Sequence, residues 1–260
     1  MARGNTTILD LFQLAKIDLT KAELGFESYR SLNWEYELSP RDFLNFAKED
    51  FKEGTKKGNI NALTNAKRAI DCQTGKIIQS LSIDPDKFPK AAKDFVNKFD
   101  TSPIKDDLTF GLRFLRGINF SPPSIVAKSR TPRNKLEHFY IRPTDGEVSD
   151  AVELAELFIM ATESKLTRFS DFAVYNASHD CYGVVRFGYP HGGEFEVQVE
   201  IKGKRVSKTT VSINDIEYYY LVRIAASYHD KGGAKGAMLD LLDAIKHPMP
   251  LKHISIEISE

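Results

Sequence analysis

Residues 171–213 read DFAVYNASHDCYGVVRFGYPHGGEFEVQVEIKGKRVSKTTVSI, and this stretch decides the fold class. Apolar and polar residues alternate with period two in DFAVYN, CYGVVRFGYP, EFEVQVEIKG and KRVSKTTVSI. That spacing puts one set of side chains on a single face of a pleated strand. His191-Gly192-Gly193 and Gly203-Lys204 supply turn residues between the alternating runs, so the runs read as antiparallel strands joined by hairpins.

Downstream, NDIEYYYLVRIAASYH (214–229) opens with a cap at Asn214 or Asp215 and continues with a helical apolar face. Its adjacent Tyr218, Tyr219 and Tyr220 point to different sides of a helix and are expected to divide between core and surface. AKGAMLDLLDAIKH (234–247) reads as a second helix and LKHISIEI (251–258) as a final strand. The upstream texture is different. SPRDFLNFAKEDFKEG (39–54) has a Ser-Pro start, Phe43, Phe46, Ala47 and Phe51 at helical spacing, and a stop at Gly54. NINALTNAKRAIDCQTGKIIQSLSI (59–83) carries Ile60, Leu63, Ala66, Gln73, Ile77 and Leu81 along one stripe. Shorter helices follow in FPKAAKDFVNKFD (88–100) and TSPIKDDLTFGLRFLRGINF (101–120), and a strongly apolar one runs from Val148 to Met160. No segment before residue 165 calls for a strand. The expected architecture is an all-α helical bundle over 1–165, followed by a smaller α+β domain with an antiparallel sheet over 166–260.

Composition narrows the function classes. Cys72 and Cys181 stand far apart with no CxxC spacing, which excludes a zinc ribbon or a disulfide scaffold. The histidines outside the motif described below (His179, His191, His229, His247 and His253) have no zinc-ligand spacing, and HDKGGAKGAM lacks the Gly-Lys-Ser/Thr of a P-loop. Neither a metal nor another cofactor is called for. The N-terminus lacks the apolar run of a signal peptide and no stretch reaches membrane-spanning length, so no membrane contact and a cytoplasmic location are expected. Formal net charge is zero, yet residues 51–142 hold 18 Lys and Arg against nine Asp and Glu. A basic middle section of this kind attracts phosphate.

Inside that section lies SRTPRNKLEHFYIRP (129–143). His138 exchanges protons near neutral pH, and Arg133 is permanently charged and forks onto phosphate oxygens. These are the needs of RNA self-cleavage: a base for the 2′-hydroxyl, a cation for the developing phosphorane and an acid for the departing 5′ oxygen. One histidine cannot readily be base and acid at once, so a shared cleft between two copies of the chain, a homodimer, is expected. Asn134 stands four residues before His138 and shares its helical face, which suits it to orient the imidazole. Tyr140 returns to the Arg133 face, where stacking on a base, hydrogen bonding to phosphate and simple packing all remain open. Lys135 and Arg142 flank the motif as candidate contacts to the RNA backbone.

The Arg133-Asn134 start and the Arg-x4-His-x-Tyr spacing through His138 and Tyr140 resemble the HEPN domain family. The order of parts, several helices before the motif and one long apolar helix after it, is similar to that family. The resemblance implies a metal-independent endoribonuclease whose paired motifs line a groove at a dimer interface and whose product ends in a 2′,3′-cyclic phosphate. It implies toxin or phage-defence biology, and a nucleotidyltransferase-type antitoxin that modifies the motif tyrosine, here Tyr140. The alternative is a non-catalytic HEPN-like module that binds RNA, nucleotide or protein.

Overall fold

The computed structural model describes residues 6–99, 108–121, 141–177 and 182–259. The sheet begins much earlier in the chain than its alternating stretch. Ala22–Arg30 forms β1, followed by β2 (Phe169–Asn176), β3 (Gly183–His191), β4 (Glu194–Ile201), β5 (Lys204–Ser212) and β6 (Ile256–Ser259). They make one six-stranded mixed sheet in the order β5-β4-β3-β2-β1-β6. All neighbours are antiparallel except β1 and β6, which run parallel from the Ala22–Ile256 pair onward. The expectation of an all-α N-terminal bundle followed by a small separate domain is therefore corrected: the fold is α+β, and an N-terminal strand sits inside the sheet. Ala22, Leu24 and Phe26 do alternate, but β1 is a strand only because β2 and β6, from the far end of the chain, pair with its two edges. Local sequence carries no record of such distant partners.

Helices are α1 (Ile8–Ala15), α2 (Pro40–Lys52), α3 (Lys56–Ser80), α4 (Lys90–Phe99), α5 (Phe110–Gly117), α6 (Asp145–Thr167), α7 (Ile216–Ala225) and α8 (Lys231–Ala244). The chain divides into two compact units. One joins Met1–Ser31, Phe88–Phe95 and Thr167–Glu260, and the other joins Leu32–Lys87 and Val96–Leu166. Among the described residues the second unit holds helices and no strand.

In the sheet unit one face is apolar. Leu24, Phe172, Val174, Val185, Phe187, Phe195, Val197 and Val199 are all fully buried. Phe172 and Phe187 face each other across β2 and β3 and stack with centroids 4.6 Å apart. Helices α1 and α7 cover this face: Phe12 packs on Phe187, and Tyr218 on Phe195. Burying aromatic rings of this size contributes about 1.5–3 kcal/mol each before entropy is charged. The three consecutive tyrosines do not divide between core and surface, because Tyr218, Tyr219 and Tyr220 are all buried. Each finds a partner: Tyr218 bonds the Tyr189 hydroxyl at 3.0 Å, Tyr219 donates to the Ile213 carbonyl at 2.6 Å, and Tyr220 meets Phe95 edge-on. The other face of the sheet is polar. Arg186 bridges Glu27 and Glu200, Lys208 bonds Glu196, and Asp171 accepts from Arg30, Ser28 and the Tyr189 amide.

The helical unit follows its local signals closely. Ser39 caps α2 in a reciprocal box with Asp42, Pro40 occupies the first turn, and Gly54 beyond its end takes φ +64°. Leu63, Ala66, Ala69, Ile70, Gln73 and Ile77 bury one stripe of α3, as spaced. Phe46 and Ile60, expected in stripes, are instead exposed. At the core of the unit the buried Gln73 amide donates to the Thr162 hydroxyl of α6 at 2.8 Å. Among the described residues no helix is long and apolar enough to cross a membrane.

Candidate functional site

The described chain runs to Ser121 on one side of the motif and resumes at Ile141 on the other. Arg133, Asn134, Lys135, His138 and Tyr140 lie outside the described residues; Arg142 lies within them. Both flanks are firmly built. Upstream, α5 ends through Ile118, Asn119 takes φ +62°, and the amides of Phe120 and Ser121 both return to the Leu115 carbonyl. Phe120 and Ser121 are buried, and the Lys165 ammonium of α6 bonds the Asn119 carbonyl. This end of the segment is therefore held by both side-chain packing and backbone bonds.

Downstream, Arg142 is exposed and is followed by the buried Pro143. The Thr144 hydroxyl accepts from the Glu147 amide at 3.2 Å, and the Glu147 carboxylate accepts from the Thr144 amide at 2.9 Å. That reciprocal pair satisfies orphan N–H groups and starts α6 sharply. One residue on, Asp145 accepts from the side chain of Asn59, a buried residue in the first turn of α3, at 2.6 Å. An arginine here projects from a helix entry pinned to its neighbour, which limits the freedom of its backbone. The Thr144-x-x-Glu147 spacing has the form of a capping box, yet the expected helix began only at Val148, three residues after its observed start at Asp145; the Asn59–Asp145 bond joins residues far apart in sequence and carried no local signal.

Other groups that could carry chemistry are accounted for by packing. Burial pushes the Cys72 thiol up from its usual range, which disfavours the nucleophilic thiolate. His247 packs edge-on against Phe12, its Nδ1 accepts the Met249 amide at 3.2 Å, and burial lowers its proton affinity. His229 bonds Arg168 at 2.8 Å. The glycine-rich run is not a loop: Asp230 caps α8, and Gly232, Gly233 and Gly236 lie in the helix. Among the described residues no group of three or more His, Cys, Asp or Glu side chains could hold a metal ion.

A cleft of about 500 Å³ opens between α2 and α3, lined by Glu49, Asp50, Glu53, Asn61, Asn65 and Arg68 among others. Three of its polar side chains are engaged with one another: Asn65 donates to Asp50 at 2.8 Å and accepts from Arg68 at 3.3 Å. Three carboxylates against one guanidinium repel a polyanion, so this cleft does not suit phosphate. Comparison of the chain with protein-family models, with curated proteins and with solved structures gave no match.

Proposed function

We propose that the protein is a metal-independent endoribonuclease that cleaves RNA by attack of the 2′-hydroxyl on the adjacent phosphodiester, leaving a 2′,3′-cyclic phosphate. The observation that carries this reading is the Arg133-Asn134-x3-His138-x-Tyr140 spacing within a basic section of the chain. His138 supplies a group that exchanges protons at neutral pH, and Arg133 supplies a fixed charge for the pentacovalent phosphate. Asn134 orients the imidazole, while Lys135, Tyr140 and Arg142 hold the strand. The exposure of Arg142 at the pinned entry to α6 supports the last of these roles. Two copies of the chain pair so that one His138 acts as base and the other as acid. The protein works in the cytoplasm as a toxin or defence effector, restrained by a nucleotidyltransferase-type antitoxin acting on Tyr140.

The test is cleavage of single-stranded and structured RNA in EDTA by the wild type and by His138→Ala, with end-group analysis of the fragments. General acid–base groups contribute about 10²–10⁴-fold, so His138→Ala should fall by at least 10² while the wild type leaves cyclic phosphate ends. Equal cleavage by both proteins, or 3′-hydroxyl ends, would defeat the reading.

A further inference from the structure

The sheet unit carries an exposed aromatic ring among free cations at one end of β3. Tyr182, just before β3, is 40% exposed. The Lys16 ammonium stands over its ring, 5.3 Å from the centroid. Lys202 donates its backbone N–H to the Tyr182 carbonyl at 3.0 Å, and Lys204 follows two residues later, after Gly203, across the hairpin turn. Lys16, Lys202 and Lys204 are all exposed, and among the described residues none pairs with a carboxylate. The nearby acids are already engaged: Asp18 accepts from Thr20 and pairs with Lys21, and Glu200 pairs with Arg186.

The backbone holds this group in place. Lys202 and Gly203 both have positive φ, +50° and +74°, the geometry of a type I′ hairpin turn. Lys16 ends α1 at φ +53°. Glycine or asparagine fits such positions without the cost of about 1–2 kcal/mol that a longer side chain incurs, yet lysine stands at both. Close approach explains why α1 reaches the ring: a Cβ on Gly183 would lie 2.2 Å from the Ala15 carbonyl oxygen. Only glycine lets the end of α1 lie against the start of β3, and that contact brings Lys16 to Tyr182. The Asp18 amide, bonded to the Asn176 side chain at 2.7 Å, fixes the turn that follows Lys16.

We propose that Tyr182, Lys16, Lys202 and Lys204 form a docking platform for single-stranded RNA, separate from the cleavage motif. An unpaired base stacks on the ring face away from Lys16, and the lysines neutralise the flanking phosphates. Bases in a duplex are already stacked, so an isolated ring selects unpaired strands. RNA as the polymer rests on the endoribonuclease reading above; the stacking and charge contacts rest on the geometry alone.

The test measures binding of the full-length protein to a fluorescent 2′-O-methyl oligouridine, which lacks the attacking hydroxyl and cannot be cut by the proposed route. Tyr182→Ala should weaken binding about 10-fold, the equivalent of one lost base stack, whereas Tyr182→Phe should stay within about two-fold. The double variant K202A/K204A should reduce the slope of log affinity against log salt by about 1.4, from about 0.7 per phosphate contact. No binding by the wild type, wild-type affinity in Tyr182→Ala, or an unchanged salt slope in the double variant would overturn the proposal. Capture on phosphatidylserine vesicles with the same Tyr182 dependence, without binding to the oligonucleotide, would overturn it in favour of a membrane contact. Cleavage of ordinary RNA, read in parallel, separates the two proposals: intact binding without cleavage defeats the enzyme reading alone, and cleavage without a Tyr182 effect on binding defeats the platform alone.

Discussion

The sheet unit and the helical unit are held together by different kinds of information. In the sheet unit Ala22 pairs with Asn176 on one side and Ile256 on the other, so its core closes only when both ends of the chain have met. Its interior is aromatic, with Phe169, Phe172, Phe187, Phe195, Tyr189 and Tyr218 in mutual ring contact. The helical unit packs α2 on the following α3 through caps and small residues, with Ala47, Ala62, Ala66 and Ala69 buried. Its core also admits a polar pair, Gln73 with Thr162. Distant pairings slow folding and reward it with a dense core, whereas neighbouring helices form from local signals and tolerate a polar interior.

The largest expected effect tests that contrast at its densest point. Phe187 is fully buried against Phe172 and Phe12, so Phe187→Ala removes packing that nothing nearby replaces. A loss of about 3–5 kcal/mol is expected, read from urea unfolding followed by tyrosine near-UV circular dichroism. Trp34 is the chain's one tryptophan and belongs to the helical unit, so its fluorescence gives an independent probe. The tyrosine-detected midpoint should drop further than the Trp34-detected one. Equal shifts would show that the two units unfold as one and would break the comparison.

The same contrast explains what the sequence made legible. The Ser39 cap, the α3 stripe and the alternation of β2 through β5 all lie within short windows, and each was readable there. β1 was missed because its partners lie at the other end of the chain. The burial of all three adjacent tyrosines was missed for a related reason: helical periodicity assumes one wet side, and α7 has none at these positions because Phe95 and the sheet cover both. At the candidate site the proposal rests on residue types and spacing, and Arg133 through Tyr140 lie outside the described residues. The anchoring of the motif's flank by Asn59 and Asp145 was not legible, since those residues share no local pattern. The Tyr182 platform was invisible for the same reason, because its lysines come from α1 and from the β4–β5 turn.

The second prediction sharpens the difference in interiors through pH. Burial holds the Tyr218 phenol well above its ordinary value near 10, and burial also raises Tyr189 and Tyr219. A folded-state value raised above the unfolded one means that the unfolded chain releases its proton first as pH climbs. The associated stability is fully present below about pH 10 and is lost as pH rises above it. Tyrosinate absorbance near 295 nm should therefore rise in two stages, the later coinciding with loss of near-UV circular dichroism. Tyr189→Phe with Tyr218→Phe should move that later stage to higher pH; a single early stage for all tyrosines would show that these phenols are not sealed in the core.

The smallest effect lies at the start of α2, where the helical unit depends on a local signal. The Ser39 hydroxyl and amide both donate to the Asp42 carboxylate, at 2.7 Å each, and hold its proton affinity below the usual carboxylate range. A depressed folded-state value contributes stability that is present above the unfolded value of about 4 and is lost as pH falls through the folded one. Asp42→Asn should consequently flatten the acid limb of the Trp34-detected stability curve and leave its alkaline limb unchanged. A single exposed cap changes an unfolding midpoint only slightly, so the change of slope with pH is the sharper readout. An acid limb that is unchanged in Asp42→Asn would mean that α2 is held by the burial of Leu44 and Ala47 rather than by its cap, and would bring the helical unit closer in character to the sheet unit.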